Sequence, residues 1–247
     1  MTSTSFYFDI YSRIMREMWT YEYNDQRPSV LDWITHFPAA KSVLDVGSGE
    51  AYYLDKLKPQ SAVLIEPNPI FQKSSFLRCK KFCNKVEIFF TIGDFLRTTI
   101  KFKFEMILFI HSLLYANLAE LNELLPLLKD KKIAMVYPSP VGSTTFQFQK
   151  QMNISSSYDK ISMKTKLLGT PTSHRTVLTN FRLPLTTPDE DLAYLIAHPI
   201  LCESSCNDQF QNALDFVQEH RKLWTKSLFL ELPQAQILET FNFKPSY

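Results

Sequence analysis

Residues 43–50 read Val-Leu-Asp-Val-Gly-Ser-Gly-Glu, and the rest of the chain is interpreted outward from this run. The apolar side chains around Asp45 make a short buried strand, and the two glycines that follow bend it into a turn. The chain has only five glycines, so two within three positions mark a point where backbone must approach something closely. In open α/β sheets the carboxyl end of a strand, where it turns into a helix, is where ligands bind.

Strand and helix signals alternate on both sides of this turn. Ser42–Val46 reads as a first strand, Ala51–Leu57 as a helix and Ala62–Ile65 as a second strand, followed by the turn Glu66-Pro67-Asn68-Pro69. A helix is expected over Ile70–Phe82 and a third strand over Val86–Thr91. A fourth strand covers Glu105–Ile110, a helix Leu118–Leu128, and a fifth strand Lys132–Tyr137, closed by Pro138 and Pro140. This order predicts an α/β fold: a Rossmann-like, doubly wound, mostly parallel sheet with helices on both faces.

Flanking segments complete the pattern. Residues 6–22 place Ile10, Ile14 and Met18 beside Tyr11, Met15 and Trp19 at helical spacing, an amphipathic helix with an aromatic face, and Pro28–His36 reads as a second helix. Residues 141–173 are rich in Ser, Thr, Gln and Lys without clear period and read as a long loop. His174–Leu183 reads as an extra strand. Thr187, Pro188 and the acids 189–191 open a helix, and Phe210 to Trp224 mark another. Ser227–Leu232 and Gln234–Phe241, around Pro233, read as an antiparallel hairpin. The expected organisation is one domain over 1–247: an N-terminal helical lid (1–39), a ligand-binding core (40–140), a substrate-side insertion (141–205), and a final helix and hairpin (206–247).

Composition narrows the class. Hydrophobic residues make up 45% and charged residues 21%, enough for a packed interior and too little charge for a disordered chain. With 27 basic and 25 acidic residues the net charge is only +2, which argues against a polyanionic partner and for a small molecule. The start of the chain shows no signal-peptide pattern, and no stretch is apolar enough for a membrane span, so a cytoplasmic protein is expected. Cys79/Cys83 and Cys202/Cys206 form two Cys-x3-Cys pairs, read as reduced structural thiols rather than a zinc site.

The turn also speaks to its ligand. A dinucleotide site wants a third glycine three positions after Gly49, where this chain has Tyr52. Asp45, two residues before Gly47, is poorly placed beside a pyrophosphate but suits a ligand carrying an ammonium and a sulfonium, which favours S-adenosyl-L-methionine over NAD. Glu66 closes the second strand 17 residues after Gly49, near the offset of roughly 20 expected for an acid that takes a ribose diol. Asp94 follows the third strand, where it either accepts from an adenine amino group, with Phe95 packed on the ring, or caps a helix. His111, at the end of the fourth strand, is read either as a general base toward the methyl acceptor or as a pocket-lining residue. Tyr115 lies near it, facing substrate or core.

The ordered runs VLDVGSG, LIEPNP, IGDF and FIHSLLY resemble the motif set of class I S-adenosylmethionine-dependent methyltransferases over roughly residues 40–140. LIEPNP, FIHSLLY and the late hairpin are also similar to small-molecule N-methyltransferases of the histamine N-methyltransferase type. The resemblance implies a cofactor lying across the ends of strands 1, 2 and 4. Its ligands would be Asp45, Gly47, Ser48, Gly49, Glu66, Pro67, Asp94, Phe95, Ile110 and His111, with Tyr11, Tyr21 and Tyr115 toward a small-molecule acceptor. Tyr52 and the insertion over 141–183 depart from the pattern. The chain lacks the Asn/Asp-Pro-Pro-aromatic loop of nucleic-acid adenine methyltransferases. The expected activity is methyl transfer to a small-molecule N or O acceptor by a monomer or homodimer. An RNA or protein methyltransferase, or a non-catalytic binding protein of the same fold, are the alternatives.

Overall fold

The computed structural model describes residues 13–14, 30–35, 37, 40–98, 102–154, 157–201 and 207–242. The aromatic face of the helix expected over 6–22, with Tyr11, Trp19 and Tyr21, lies outside the described residues, as do Cys202 and Cys206.

The elements in chain order are α1 (Val30–Thr35), β1 (Ser42–Val46), α2 (Tyr52–Leu57), β2 (Ser61–Ile65), α3 (Pro69–Cys79), β3 (Lys85–Phe89), α4 (Ile92–Leu96) and β4 (Met106–Ile110). There follow α5 (Leu118–Leu128), β5 (Lys132–Ser143), α6 (Thr144–Gln151), α7 (Ser157–Leu167), β6 (Ser173–Pro184), α8 (Asp189–Leu201), α9 (Asn207–Trp224) and β7 (Phe229–Asn242). The seven strands are ordered β3-β2-β1-β4-β5-β7-β6. The first five are parallel, with Asp45 level with Leu64 on β2 and Leu108 on β4. β7 runs antiparallel to its neighbours: Thr240 bonds Thr172 and Ser173, while Gln234, nearer the start of β7, bonds Thr179. This is the Rossmann-like, mostly parallel sheet that the strand–helix alternation predicts.

Two compact units share these elements, and β5, β6 and β7 each contribute to both. One comprises 30–137, 160–177 and 237–247. Its centre is the near-continuous apolar run of β1, β2, β4 and β5, with Leu44, Leu64, Ile107, Leu108, Ile133 and Ala134 all buried, as expected of strands covered on both faces. The other comprises 1–29, 138–159 and 178–236, and its core joins Phe148, Leu192, Ile196, Phe216, Val217 and Leu232. In that unit Arg13 grips both carboxylate oxygens of Asp191 at 2.8 and 2.7 Å, the bidentate geometry that a guanidinium favours.

Several boundaries differ from the sequence reading. β5 runs through Pro138 and Pro140 to Ser143 instead of stopping at Tyr137. Val136 turns its carbonyl toward the β4 side, where His111 donates to it at 2.8 Å. Pro138 and Pro140, two and four residues later, face that same side after β4 has ended at Ile110, so their missing N–H groups cost no ladder bond. The expected loop over 141–173 is instead the end of β5 followed by α6 and α7. The expected hairpin is one continuous strand, β7. Pro233 lies where β5 gives way to α6, and its carbonyl takes the Thr144 hydroxyl at 2.7 Å, so the strand passes the proline without a turn. α3 stops at Cys79 rather than Phe82.

Candidate functional site

The site is built at the carboxyl ends of β1, β2 and β4. Gly47 and Gly49 take positive φ values of 72° and 52°. A side chain at Gly47 would be impossible: its Cβ would fall 2.3 Å from the Cβ of Ser112. Beside Gly49 nothing lies within 4 Å of such a Cβ, so this glycine fronts open space. The turn is held from below, Gly47 and Ser48 both donating to the Ile65 carbonyl at 2.7 and 3.2 Å. One glycine is therefore needed for packing against the loop after β4, and the other leaves room beside the turn.

Glu66, buried at the end of β2, ties that turn to the next loop. Its Oε2 accepts from the Gly49 N–H at 2.7 Å and its Oε1 from the Asn68 N–H at 2.9 Å. Burial raises its pKa, and the two backbone donors pull it back. Each oxygen retains a further lone pair, so a diol can still donate to it. Asn68 caps α3 through Oδ1, accepting from Ile70 N at 2.9 Å, while its buried Nδ2 has no partner among the described residues. Asp45 is almost fully buried, and its pKa is pushed up to about 8, first by burial and then by the charge of Glu66. Asp45 therefore holds its proton at neutral pH, and a cation bound at the turn would favour its ionised form.

The other predicted residues are placed less uniformly. Tyr52, the departure from a third glycine, turns toward α3: the Arg78 guanidinium lies 4.0 Å over its ring and donates from Nε to the Glu50 carbonyl at 2.8 Å. Asp94 shows the cap arrangement. Its Oδ2 accepts from the Thr91 N–H at 3.1 Å, the Thr91 hydroxyl accepts from Asp94 N at 3.0 Å, and Arg97 donates to Oδ1 at 2.7 Å. These contacts, Arg97 foremost, hold its pKa below the usual carboxylate value. Phe95 is buried among Phe89, Phe102 and Phe104 with ring centroids 5.5–5.9 Å away, a core position that corrects the expectation of a ring offered to adenine.

Ile110 ends β4 and is buried. His111 follows in the left-handed region with φ 57°, a conformation less foreign to His than to most side chains. Tyr115 is half exposed, at 45%. Pro67 bridges Glu66 and the Asn68 cap. Cys79 and Cys83 are free, buried and in mutual contact, with Cys83 also reaching the Pro59 carbonyl at 3.1 Å. Among the described residues no group of three or more His, Cys, Asp or Glu side chains is placed to hold a metal.

Three residues that the motif reading passed over complete the site: Asn68, Ser112 and Lys164. The Ser112 hydroxyl and that of Ser48 are buried with no partner among the described residues. Lys164, from α7, donates its ammonium to the carbonyls of Leu113 at 3.1 Å and Leu114 at 2.6 Å. Asn68 carries a cap signature in the sequence; Ser112 and Lys164 carry no local signal.

No protein-family model matches this chain, and no curated protein matches it in sequence. Solved structures match its fold. A candidate methyltransferase from Bacillus halodurans C-125 aligns at TM-score 0.53 over 87% of this chain and 97% of its own, with 12% identity. This chain shares its Rossmann-like fold with that candidate methyltransferase. The YcgJ protein of Bacillus subtilis aligns at TM-score 0.52 over 87% of this chain and 98% of its own, with 13% identity. YjhP of E. coli aligns at TM-score 0.51 over 93% and 99%, again with 13% identity. No helix among the described residues is long and apolar enough to cross a membrane.

Proposed function

We propose that this chain is an S-adenosyl-L-methionine-dependent methyltransferase acting on a small-molecule nitrogen or oxygen nucleophile. The observation that carries the reading is the cradle around the glycine turn: Gly49 fronts open space and donates its N–H to buried Glu66, Asp45 is buried at the end of the strand leading into the turn, and buried polar groups on the loops after β1, β2 and β4 have no partner among the described residues. An orphaned buried amide or hydroxyl costs free energy unless a partner arrives. Asn68 Nδ2, Ser48 Oγ and Ser112 Oγ all lie on the loops after β1, β2 and β4. These residues fit a zwitterionic sulfonium nucleoside better than a dinucleotide, whose pyrophosphate would meet two acids.

When bound, the cofactor supplies a methyl group on a positively charged sulfur, activated for in-line displacement. The chain's part is to hold and orient. Glu66 takes the ribose hydroxyls on its remaining lone pairs, with Asn68 Nδ2 beside it as donor. Asp45, when ionised, compensates the positive charge from below. Gly47, Ser48 and Gly49 present the turn, with Pro67 and Ile110 shaping its flanks. The engagement of Asp94 by Thr91 and Arg97 makes it a border of the adenine end rather than a dedicated partner. His111 and Tyr115 occupy the acceptor side, where His111 is suited to receive a proton from the acceptor nitrogen or oxygen. A small acceptor fits the nearly neutral chain.

Calorimetric titration tests this directly. Micromolar binding of S-adenosylmethionine and S-adenosylhomocysteine is expected, weakened at least tenfold by Glu66→Ala, with no comparable binding of NAD. Tight NAD binding would overturn the reading. Turnover on a panel of amines, phenols and carboxylic acids then separates a small-molecule enzyme from an RNA or protein methyltransferase, and loss of methyl groups to none of these classes would mark a binding protein.

A further inference from the structure

The near-neutral total of +2 conceals a segregation of charge at the amino ends of the parallel strands, opposite the glycine turn. Lys41 immediately precedes β1, Lys58 lies in the turn before β2, and Lys81 and Lys85 lead into β3. Lys103 precedes β4, and Lys132 opens β5. Together, positions 41, 58–60, 80–85, 102–105 and 129–132 hold nine lysines against two acids, Glu105 and Asp130. Of the chain's 27 basic and 25 acidic residues, 18 and 23 then lie elsewhere, so the remainder is net negative. Seven of the nine lysines are exposed, and Lys131 and Lys132 are half-buried. Helix ends account for only part of this. Lys58, Lys80 and Lys129 cap α2, α3 and α5, where a cation complements the helix dipole. Lys41, Lys85, Lys103 and Lys132 stand at strand starts and serve no helix end.

The rim is a fixed row. Neighbouring strand starts are tied through their backbones: Ser61 donates to the Lys41 carbonyl at 3.0 Å, Asn84 to Gln60 at 2.7 Å, Glu105 to Ser42 at 3.0 Å and Lys132 to Glu105 at 3.3 Å. One of the two acids is engaged within the rim, since Glu105 Oε2 accepts from the Lys41 N–H at 2.7 Å. In the spatial order β3-β2-β1-β4-β5, adjacent stations lie about 4.8 Å apart and the row runs about 19 Å. Lys85 sits 5.1 Å over the Phe102 ring and Lys132 sits 4.4 Å over Phe37, which steadies both ammonium groups. Both rings are half-buried, recessed beneath the lysines, unlike the protruding apolar side chains with which a surface enters a bilayer. The pair of Lys85 with Glu87 at 3.6 Å is an exposed one that a phosphate displaces at little cost. A long, narrow row of point charges matches a linear polyanion.

We propose that this rim is a docking surface for the phosphate backbone of a single nucleic-acid strand. β1 to β4 are five residues each, about 16 Å, so the bound strand is held at the end of the sheet away from the glycine turn. The assignment stands on strand geometry and charge, whatever ligand the turn takes.

The test is fluorescence anisotropy of labelled single-stranded RNA and DNA of about 12 nucleotides, titrated with the full chain. With one phosphate contact per strand start, the logarithm of the association constant should fall with that of salt at a slope of about −3.5, a loss of roughly a hundredfold between about 50 and 200 mM. Combining Lys41→Gln, Lys81→Gln and Lys103→Gln should bring the slope to about −1.4 and weaken binding at least tenfold at about 50 mM salt. Neutralising three exposed lysines elsewhere, by Lys150→Gln, Lys166→Gln and Lys222→Gln, makes the same change in net charge and should cost less than about threefold. Equal affinity for RNA and DNA would support backbone contact alone, and tighter RNA binding would add contact to the 2′-hydroxyl. S-adenosylhomocysteine titration should be identical for all three proteins, which keeps the rim and the turn separately testable. Equal losses in the two triple variants, an affinity that ignores salt, or cosedimentation with phosphatidylserine vesicles without oligonucleotide binding would overturn the proposal.

Discussion

The charge state of Asp45 gives the sharpest test of the electrostatics at the turn. Its carboxyl is raised from 3.8 to about 8 by burial and by Glu66, so between these values the folded protein keeps a proton that the unfolded chain has released. Stability from this group is fully present below pH 4 and is lost as pH rises through about 8. The slope is about −1.4 kcal/mol per pH unit, or about 4 kcal/mol between pH 4 and pH 7 as an upper figure. Asp45→Asn keeps the shape and removes the titration. Urea unfolding should therefore show the variant and the wild type nearly equal at pH 4 and the variant more stable at pH 7, by up to that amount. Ligand binding should run the other way. A sulfonium cation draws on the ionised form, so wild-type affinity for S-adenosylmethionine should rise by up to about tenfold per pH unit from pH 6 to 8. Proton release, read by calorimetry in buffers of different ionisation enthalpy, should accompany it. The variant should show a flat profile and weaker binding at pH 8. A stability difference between variant and wild type that does not change with pH would refute the reasoning.

Two further outcomes follow from the same geometry and packing. Gly47→Ala places a Cβ 2.3 Å from Ser112 in a left-handed backbone and should cost several kcal/mol, whereas Gly49→Ala meets open space and should cost only about 1 kcal/mol for its positive φ; equal losses in chemical denaturation would be inconsistent with this packing. Buried Glu239 accepts from the Tyr137 hydroxyl at 2.8 Å and pairs with His174 Nδ1 at 2.9 Å. Glu239→Ala leaves the tyrosine hydroxyl without this acceptor and should cost about 1–3 kcal/mol of unfolding free energy, and a change within experimental error would show that the ladder across β5, β7 and β6 contributes nothing net.

The expected fold is legible because its cues are local. Apolar runs of strand length, the glycine turn and the Glu66-Pro67-Asn68-Pro69 turn each act within a few residues, and alternating strands and helices leave few topologies. Where the reading went astray, the deciding contact was remote. Pro138, Pro140 and Pro233 look like strand breakers, yet β5 and β7 pass through them, because what a proline costs depends on whether a neighbouring strand waits for its N–H. The residues 141–173 lack period, yet α6 and α7 form there. Phe95 looked available to a ligand until Phe102 and Phe104 closed over it.

The chemistry divides in the same way. By itself the sequence determined the glycine turn, the acids at positions 45 and 66, and their strand-end setting, because spacing along one chain is enough to specify them. Only the tertiary structure decided that Asp45 is buried beside a second charge, that Asp94 is spent on a helix cap, that Ser112 packs on Gly47 from 65 residues away, and that Lys164 holds the loop after β4. Burial and pairing are properties of what surrounds a side chain, and those surroundings come from segments that local sequence does not name.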